Sequence, residues 1–328
     1  MNKFYTVAHR LSQWADSTPD AVAQRYRKSG EWKTVTAREF CDRTFYLAVF
    51  LESKGFTKDD VGAIFSYNCP QWVQMDIAPT MLGAKSAGLY PNSNIKDVKY
   101  ILTHTEAKVL SVQNKYYYEK TRGEDGKVVI PDSCKMILVF EGDAGFDSRA
   151  VKYDDAIAEG KRIAVQSGKK VADYLGRMNP DHGAFLIYTS GTTGNPKGVL
   201  LSNRNFLTAA DIVIRTWALP ERTGSTASFL PLCHIAEKLQ NLGAGISQRY
   251  VVNYLSSIDK IAEEMPQVEP TLLLCVPRLW EKMIEGVNIK LKNAPPARRK
   301  LAQWAFAVGG RVAEAKFDGK MPNPLDLI

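Results

Sequence analysis

The sequence predicts an α/β protein built as two doubly wound lobes, each a mainly parallel sheet flanked by helices. Three observations carry this. Short, near-continuous apolar runs alternate with amphipathic stretches along most of the 328 residues, the pattern of parallel strands covered on both faces. More than six such units occur, too many for one sheet of this kind. The length, at roughly 150 residues per domain, also suggests two domains. The division is expected at residue 180, with a first lobe and an N-terminal helical region over 1–180 and a second lobe over 181–328.

Element by element, Thr36-Ala37-Arg38-Glu39 is a capping box that opens a helix carrying Phe40, Leu47, Ala48 and Leu51, and Gly55 stops it. Val61–Phe65 is a buried strand. Asn68 is placed to cap the next helix, with Trp72, Met75 and Ile77, which Pro79 should kink or end. Ala87–Tyr90 reads as a strand, and the helix after it puts Ile95, Val98, Ile101 and Leu102 on one face. Further strands are expected at Val109–Val112, Met136–Phe140, Ala184–Thr189, Thr226–Leu230, Tyr250–Tyr254 and Leu272–Val276. Amphipathic stretches at Asn203–Trp217 and Ser257–Met265 lie between the later ones. Arg122–Asp181, rich in Gly, Asp and Lys, predicts long irregular connections.

Hydrophobic residues are 45% and charged residues 24% of the chain, a globular balance. No run of eighteen apolar residues predicts a membrane-spanning helix, and the start MNKFYTVAHRLSQW lacks the apolar core of a secretory signal. Five scattered cysteines (41, 69, 134, 233, 275) and four scattered histidines (9, 104, 182, 234) show no metal spacing. They read as free thiols in a reducing compartment, so a cytoplasmic protein is expected. The net charge of +8 is mostly dispersed rather than gathered into a nucleic-acid stripe, and no nucleic-acid partner is expected. Pro296-Ala297-Arg298-Arg299-Lys300 is the one basic cluster, opening a helix with Leu301, Trp304, Ala305, Val308 and Val312. It is either a solvated face or a peripheral dock on the inner face of an anionic membrane.

One segment carries chemistry. A buried strand ends in Thr189, Ser190, Gly191, Thr192, Thr193 and Gly194, followed by Lys197. Glycines let backbone N–H groups converge on an anion, hydroxyls add donors, and the lysine adds a full charge. This is a cradle for a polyphosphate. It is not the GxxxxGK[ST] loop, since Gly198 follows the lysine, and no GxGxxG occurs.

Tyr188-Thr-Ser-Gly-Thr-Thr-Gly-Asn-Pro-Lys-Gly198 resembles the phosphate loop of the adenylate-forming superfamily, which includes acyl-CoA synthetases, luciferases and peptide-synthetase adenylation domains. Phe229-Leu-Pro-Leu-Cys-His-Ile-Ala-Glu237 is similar to that family's PLxH segment in its long-chain acyl-CoA synthetase form. Ile258–Glu264, Glu269-Pro270-Thr271 and Val276-Pro-Arg-Leu-Trp-Glu-Lys-Met283 resemble the same branch, as do Gly62–Asp76 and Gly83–Tyr90 upstream. The resemblance runs from about Thr36 to Met283. The family's later YGxTE-type segment, its ribose-binding aspartate and its C-terminal domain with the adenylation lysine have no counterpart. The resemblance therefore implies an N-terminal portion of a larger enzyme, with the second lobe incomplete and no turnover by this portion alone.

The implied reaction is ATP-dependent activation of a long-chain fatty acid to acyl-AMP, followed by transfer to coenzyme A. Thr189, Ser190, Gly191, Thr192, Thr193, Gly194 and Lys197 would hold the ATP phosphates, with the Thr189 hydroxyl nearest Mg²⁺. His234 would orient the acyl carboxylate, which needs no general base because it is already ionised near pH 7; a purely structural histidine is the alternative. Arg278 either neutralises an anion or forms a structural ion pair. Trp280, Met283 and Ile284 are expected in core packing rather than in an acyl tunnel. Gly243 and Gly245 permit close backbone approach, with an acyl cavity as one use. Two other readings remain: an adenylating enzyme for another carboxylic acid, or a noncatalytic nucleotide- or acyl-binding module.

Overall fold

The computed structural model describes residues 6–189 and 194–326. They form two units, one up to Leu273 and one from Leu274. The first opens with α1 (Val7–Ser17), β1 (Val22–Lys28), β2 (Glu31–Thr36), α2 (Ala37–Ser53), β3 (Val61–Phe65), α3 (Pro70–Ile77) and β4 (Lys85–Gly88). Next come α4 (Ile95–His104), β5 (Val109–Val112), α5 (Lys115–Glu119), β6 (Met136–Val139), β7 (Ala150–Lys152), α6 (Tyr153–Ser167) and α7 (Val171–Gly176). Then follow β8 (Gly183–Thr189), β9 (Lys197–Ser202), α8 (Asn203–Thr216), β10 (Ser225–Ser228), α9 (Ile235–Lys238), α10 (Ile246–Gln248), β11 (Val251–Tyr254) and α11 (Ile261–Val268). The second unit contains α12 (Pro277–Lys292) and α13 (Pro296–Phe317).

Two sheets organise the first unit. Seven strands lie in the order β7-β6-β5-β3-β4-β8-β9 and four in the order β10-β11-β1-β2. All neighbours are parallel except the edge hairpins β8–β9 and β1–β2. The α/β class and the two sheets match expectation, but the strands do not divide at residue 180. β8 joins the larger sheet through Gly88↔Ile187, and the early strand β1 joins the smaller one through Gln24↔Val252. Each sheet takes strands from both sides of that position, because pairing depends on edge complementarity rather than order along the chain.

Local rules account for the elements near the site. Thr36 Oγ1 accepts from Glu39 N at 3.1 Å and the Glu39 carboxylate accepts from Thr36 N at 2.9 Å, which is the expected capping box. The helix it starts is packed on several sides, with Phe40, Phe45, Leu47, Val49, Phe50 and Leu51 all buried. β3 is buried at all five positions, as a central parallel strand should be. α3 has Pro70 in its first turn and gives way at Pro79 to a 3₁₀ turn over Ala78–Leu82.

The long connections expected in Arg122–Asp181 are present, between α5 and β6 and between β6 and β7. The same segment also holds β6, β7, α7 and the fifteen-residue α6, whose Tyr153, Ala156, Ile157 and Ala164 are buried. Its charged outer face masks that apolar stripe in a composition reading. Leu272–Val276 is no strand; Leu272 makes a single bridge to Thr226, and Pro277 then opens α12. In the second unit neither helix buries a residue, so Trp280 (47% exposed), Ile284 (56%) and Trp304 (60%) are not core residues of this chain. Among the described residues no helix is long and apolar enough to cross a membrane.

Candidate active site

The parallel strands β3, β4, β8 and β10 point their C-terminal ends at the candidate residues, the side where open α/β sheets open their crevices. β8 ends at Thr189, and the antiparallel β9 returns at Lys197, with Thr189 and Lys197 directly opposed in register. Opposed residues project to the same face of a sheet with Cβ atoms about 5 Å apart. The hydroxyl expected near Mg²⁺ and the lysine expected on the phosphates therefore meet at the mouth of one hairpin, both exposed. Ser190, Gly191, Thr192 and Thr193 lie outside the described residues. Gly194 lies inside them and adopts φ +119°, a conformation that favours glycine. One residue back from Thr189, Tyr188 hydrogen-bonds His104 at 2.7 Å, and burial pushes its phenol up to about 12. That contact ties the strand end to α4.

His234 is the N-cap of α9 and is exposed. Its Nδ1 accepts from Ala236 N at 3.2 Å. An accepting Nδ1 places the ring proton on Nε2, leaving that atom as a donor for a carboxylate or phosphate oxygen. The loop carrying His234 is fixed from beneath. Asn68, after β3, donates through Nδ2 to Ser228 Oγ (2.9 Å) and Leu230 O (2.6 Å). Its Oδ1 accepts from Leu232 N at 3.0 Å. Asn68 is thus not the expected cap of α3, whose N-cap is Cys69; its side chain instead ties the larger sheet to the loop leaving β10.

Gly88 completes the floor. A Cβ at this position would lie 2.8 Å from Cys233 Cβ and 2.8 Å from the Trp72 ring, so only glycine lets β4 reach the segment just before His234. Since Gly88 pairs with Ile187, the His234 loop crosses the strand beside β8, two residues short of Thr189.

Beneath this loop lie two carboxylates whose placement the sequence reading missed. Asp76 on α3 accepts from Ser86 Oγ at 2.5 Å and pairs with Lys238, the side chains being 0% and 2% exposed. The Lys238 ammonium sits 4.6 Å from the Trp72 ring centre and 5.2 Å from that of Phe185. Glu237 is fully buried; burial pushes its carboxyl up to about 8, against hydrogen bonds from Ser228 and Asn241. Asp76 amid Trp72, Met75 and Ile77 was the available signal: a charge inside an apolar helix needs a partner.

Arg278 is exposed at the start of α12 in the second unit. Gly243 lies in the π-helical turn Leu239–Gly245, where a Cβ would stand 2.8 Å from Ala210 Cβ. The glycine serves close approach to α8. Cys233 is a core thiol, raised to about 12 by burial, whereas Cys275 is only partly buried. The described residues contain no cluster of three His, Cys, Asp or Glu side chains that could cage a metal. A magnesium ion carried on nucleotide phosphates needs no such cage.

Comparison with known proteins identifies the family. Long-chain-fatty-acid–CoA ligase ACSBG2 of Xenopus laevis is 25% identical, over 98% of this chain and 43% of its own length. The human ACSBG2 ligase is 25% identical, over 94% and 46%. The chain thus spans less than half the length of these relatives. Among solved structures, the adenylation domain of a carboxylate reductase from Mycobacterium chelonae superposes with a TM-score of 0.70 at 21% identity, covering 96% of this chain and 53% of that one. The N-terminal domain of FACL13 from Mycobacterium tuberculosis gives 0.67 at 19% identity, covering 85% and 64%. The model of the AMP-binding enzyme family matches residues 11–318. With that match over nearly its whole length, the chain belongs to the AMP-binding enzyme family.

Proposed function

We propose that the chain carries the ATP-phosphate and acyl-carboxylate subsites of an ATP-dependent acyl-CoA ligase acting on a long-chain fatty acid. The observation that carries this reading is the Thr189/Lys197 pair at the mouth of the β8–β9 hairpin, one strand away from a histidine loop with a free Nε2 donor. In the proposed reaction the fatty-acid carboxylate attacks the α-phosphorus of ATP and pyrophosphate leaves. The acyl group of acyl-AMP then passes to the thiol of coenzyme A, with AMP released. Lys197 and the loop would offset negative charge growing on the leaving pyrophosphate. Mg²⁺ on the phosphates would add charge neutralisation, and His234 Nε2 would fix the attacking carboxylate. The names of the curated relatives support the long-chain substrate.

Isothermal titration of ATP–Mg²⁺ into the chain and its Lys197→Ala variant tests the phosphate subsite. Weak binding is expected for the chain, reduced further in the variant. Equal affinity in both would remove Lys197 from the site. Fatty-acid titration into His234→Ala tests the carboxylate subsite in the same way.

A further inference from the structure

A polar cavity of about 390 Å³ opens among α1, α8, α10 and the residues after α10. It shares no residue with the site around Thr189, Lys197 and His234. One wall is saturated. Arg10 donates to both oxygens of Asp211, at 2.7 and 2.8 Å, and to Ser247 Oγ at 2.6 Å.

The rest of the lining is not saturated. The Arg249 side chain is only 10% exposed, and its nearest carboxylate, Glu221, stands 3.6 Å from Nε, beyond hydrogen-bond range. The Arg249 Nη1 atom is buried with no hydrogen-bond partner among the described residues. A buried guanidinium N–H without an acceptor is costly and rare, and it asks for an anion that would complete it. The backbone adds a second constraint, since Arg249 is held at φ +60°. Arg215, on α8, also lines the cavity, and its side chain makes no ion pair or hydrogen bond among the described residues. Of the two carboxylates, Asp211 is committed to Arg10, and Glu221 is shared with Arg222 at 3.2 Å. The cavity keeps an excess of positive charge.

We propose that this cavity binds a phosphate group, as inorganic phosphate or a phosphate monoester, between Arg249 and Arg215. The free donors come from two separate elements, α8 and the turn after α10. That arrangement suits a tetrahedral oxyanion better than a planar carboxylate, which takes a single coplanar fork such as the one Arg10 gives Asp211. The pocket is independent of the proposed ligase reading and stands if that reading fails.

The test is isothermal titration of sodium phosphate and of glycerol phosphate at constant ionic strength. The proteins are the chain, its Lys197→Ala variant, and the Arg215→Ala and Arg249→Gln variants. Saturable binding is expected to survive in K197A and to weaken at least tenfold in R215A and in R249Q. Tighter binding of glycerol phosphate assigns the site to a monoester, and tighter binding of phosphate assigns it to the free ion. Arg215 is exposed, so R215A decides the matter even if R249Q does not fold. Absence of saturable binding, binding lost in K197A but unchanged in R215A, or acetate bound as tightly as phosphate would each overturn the proposal.

Discussion

Replacing Lys238 with Met removes one half of the buried pair beneath the His234 loop. Asp76 would then keep a single hydrogen bond, from Ser86, at a position with 0% side-chain exposure. Breaking a buried pair from one side costs about 3–5 kcal/mol, because it strands the other charge, whereas the intact pair contributes little net stability. In a unit of this size such a loss lowers Tm by about 6–20 °C. The assay is thermal unfolding followed by circular dichroism for K238M, Asp76→Asn and the double variant. In the double variant the stranded charge is gone, the amide oxygen introduced by Asp76→Asn can still accept from Ser86, and the methionine fills space between Trp72 and Phe185. Most of the lost stability should return, with a coupling energy of several kcal/mol between the two sites. A K238M variant within about 1 kcal/mol of the parent, or strictly additive losses, would refute the reasoning.

Glu237 gives a pH prediction. Its folded carboxyl titrates near 8, against an ordinary value of 4.5, so the native state holds a proton that the unfolded chain releases. Its stabilising contribution is complete below pH 4.5 and is lost as pH rises to about 8, at up to about 1.4 kcal/mol per pH unit. Glu237→Gln should flatten Tm over pH 5–8, and an unchanged slope would count against a neutral Glu237. Gly88→Ala should cost about 1–3 kcal/mol by overpacking against Trp72 and Cys233, read by urea unfolding; a neutral substitution would contradict the close approach. In the full reading-frame product, Lys197→Ala should slow adenylation by about 2–4 kcal/mol of barrier while leaving Tm nearly unchanged. Unaltered kinetics would remove the phosphate-cradle role.

The elements the sequence revealed are those whose signal is local. The capping box at Thr36, the five apolar residues of β3 and the stop at Pro79 each depend on neighbours a few residues away, and all stand in the structure. What it hid depends on distant partners. β1 and β2, with Arg25, Arg27 and Lys33 along them, lack an apolar run, and β1 is held by pairing with β11 over two hundred residues later. β9 reads locally as the exit of a phosphate loop, and only its pairing with β8 makes it a strand. An Asn just before a helix usually caps it, yet the Asn68 side chain satisfies a loop near residue 230. At the candidate site, Thr189, Lys197 and His234 are named from motif order and family resemblance. Asp76, Glu237 and Lys238 are not, since their meaning comes from burial against one another and against Trp72.

Fatty-acid-dependent exchange of labelled pyrophosphate into ATP tests the central claim most directly. It should be run with the full reading-frame product that contains residues 1–328 and with its Lys197→Ala variant. A long-chain fatty acid should drive exchange in the parent, and the variant should lose most of it. Exchange driven only by amino acids or aryl acids, or exchange indifferent to Lys197, would contradict the account.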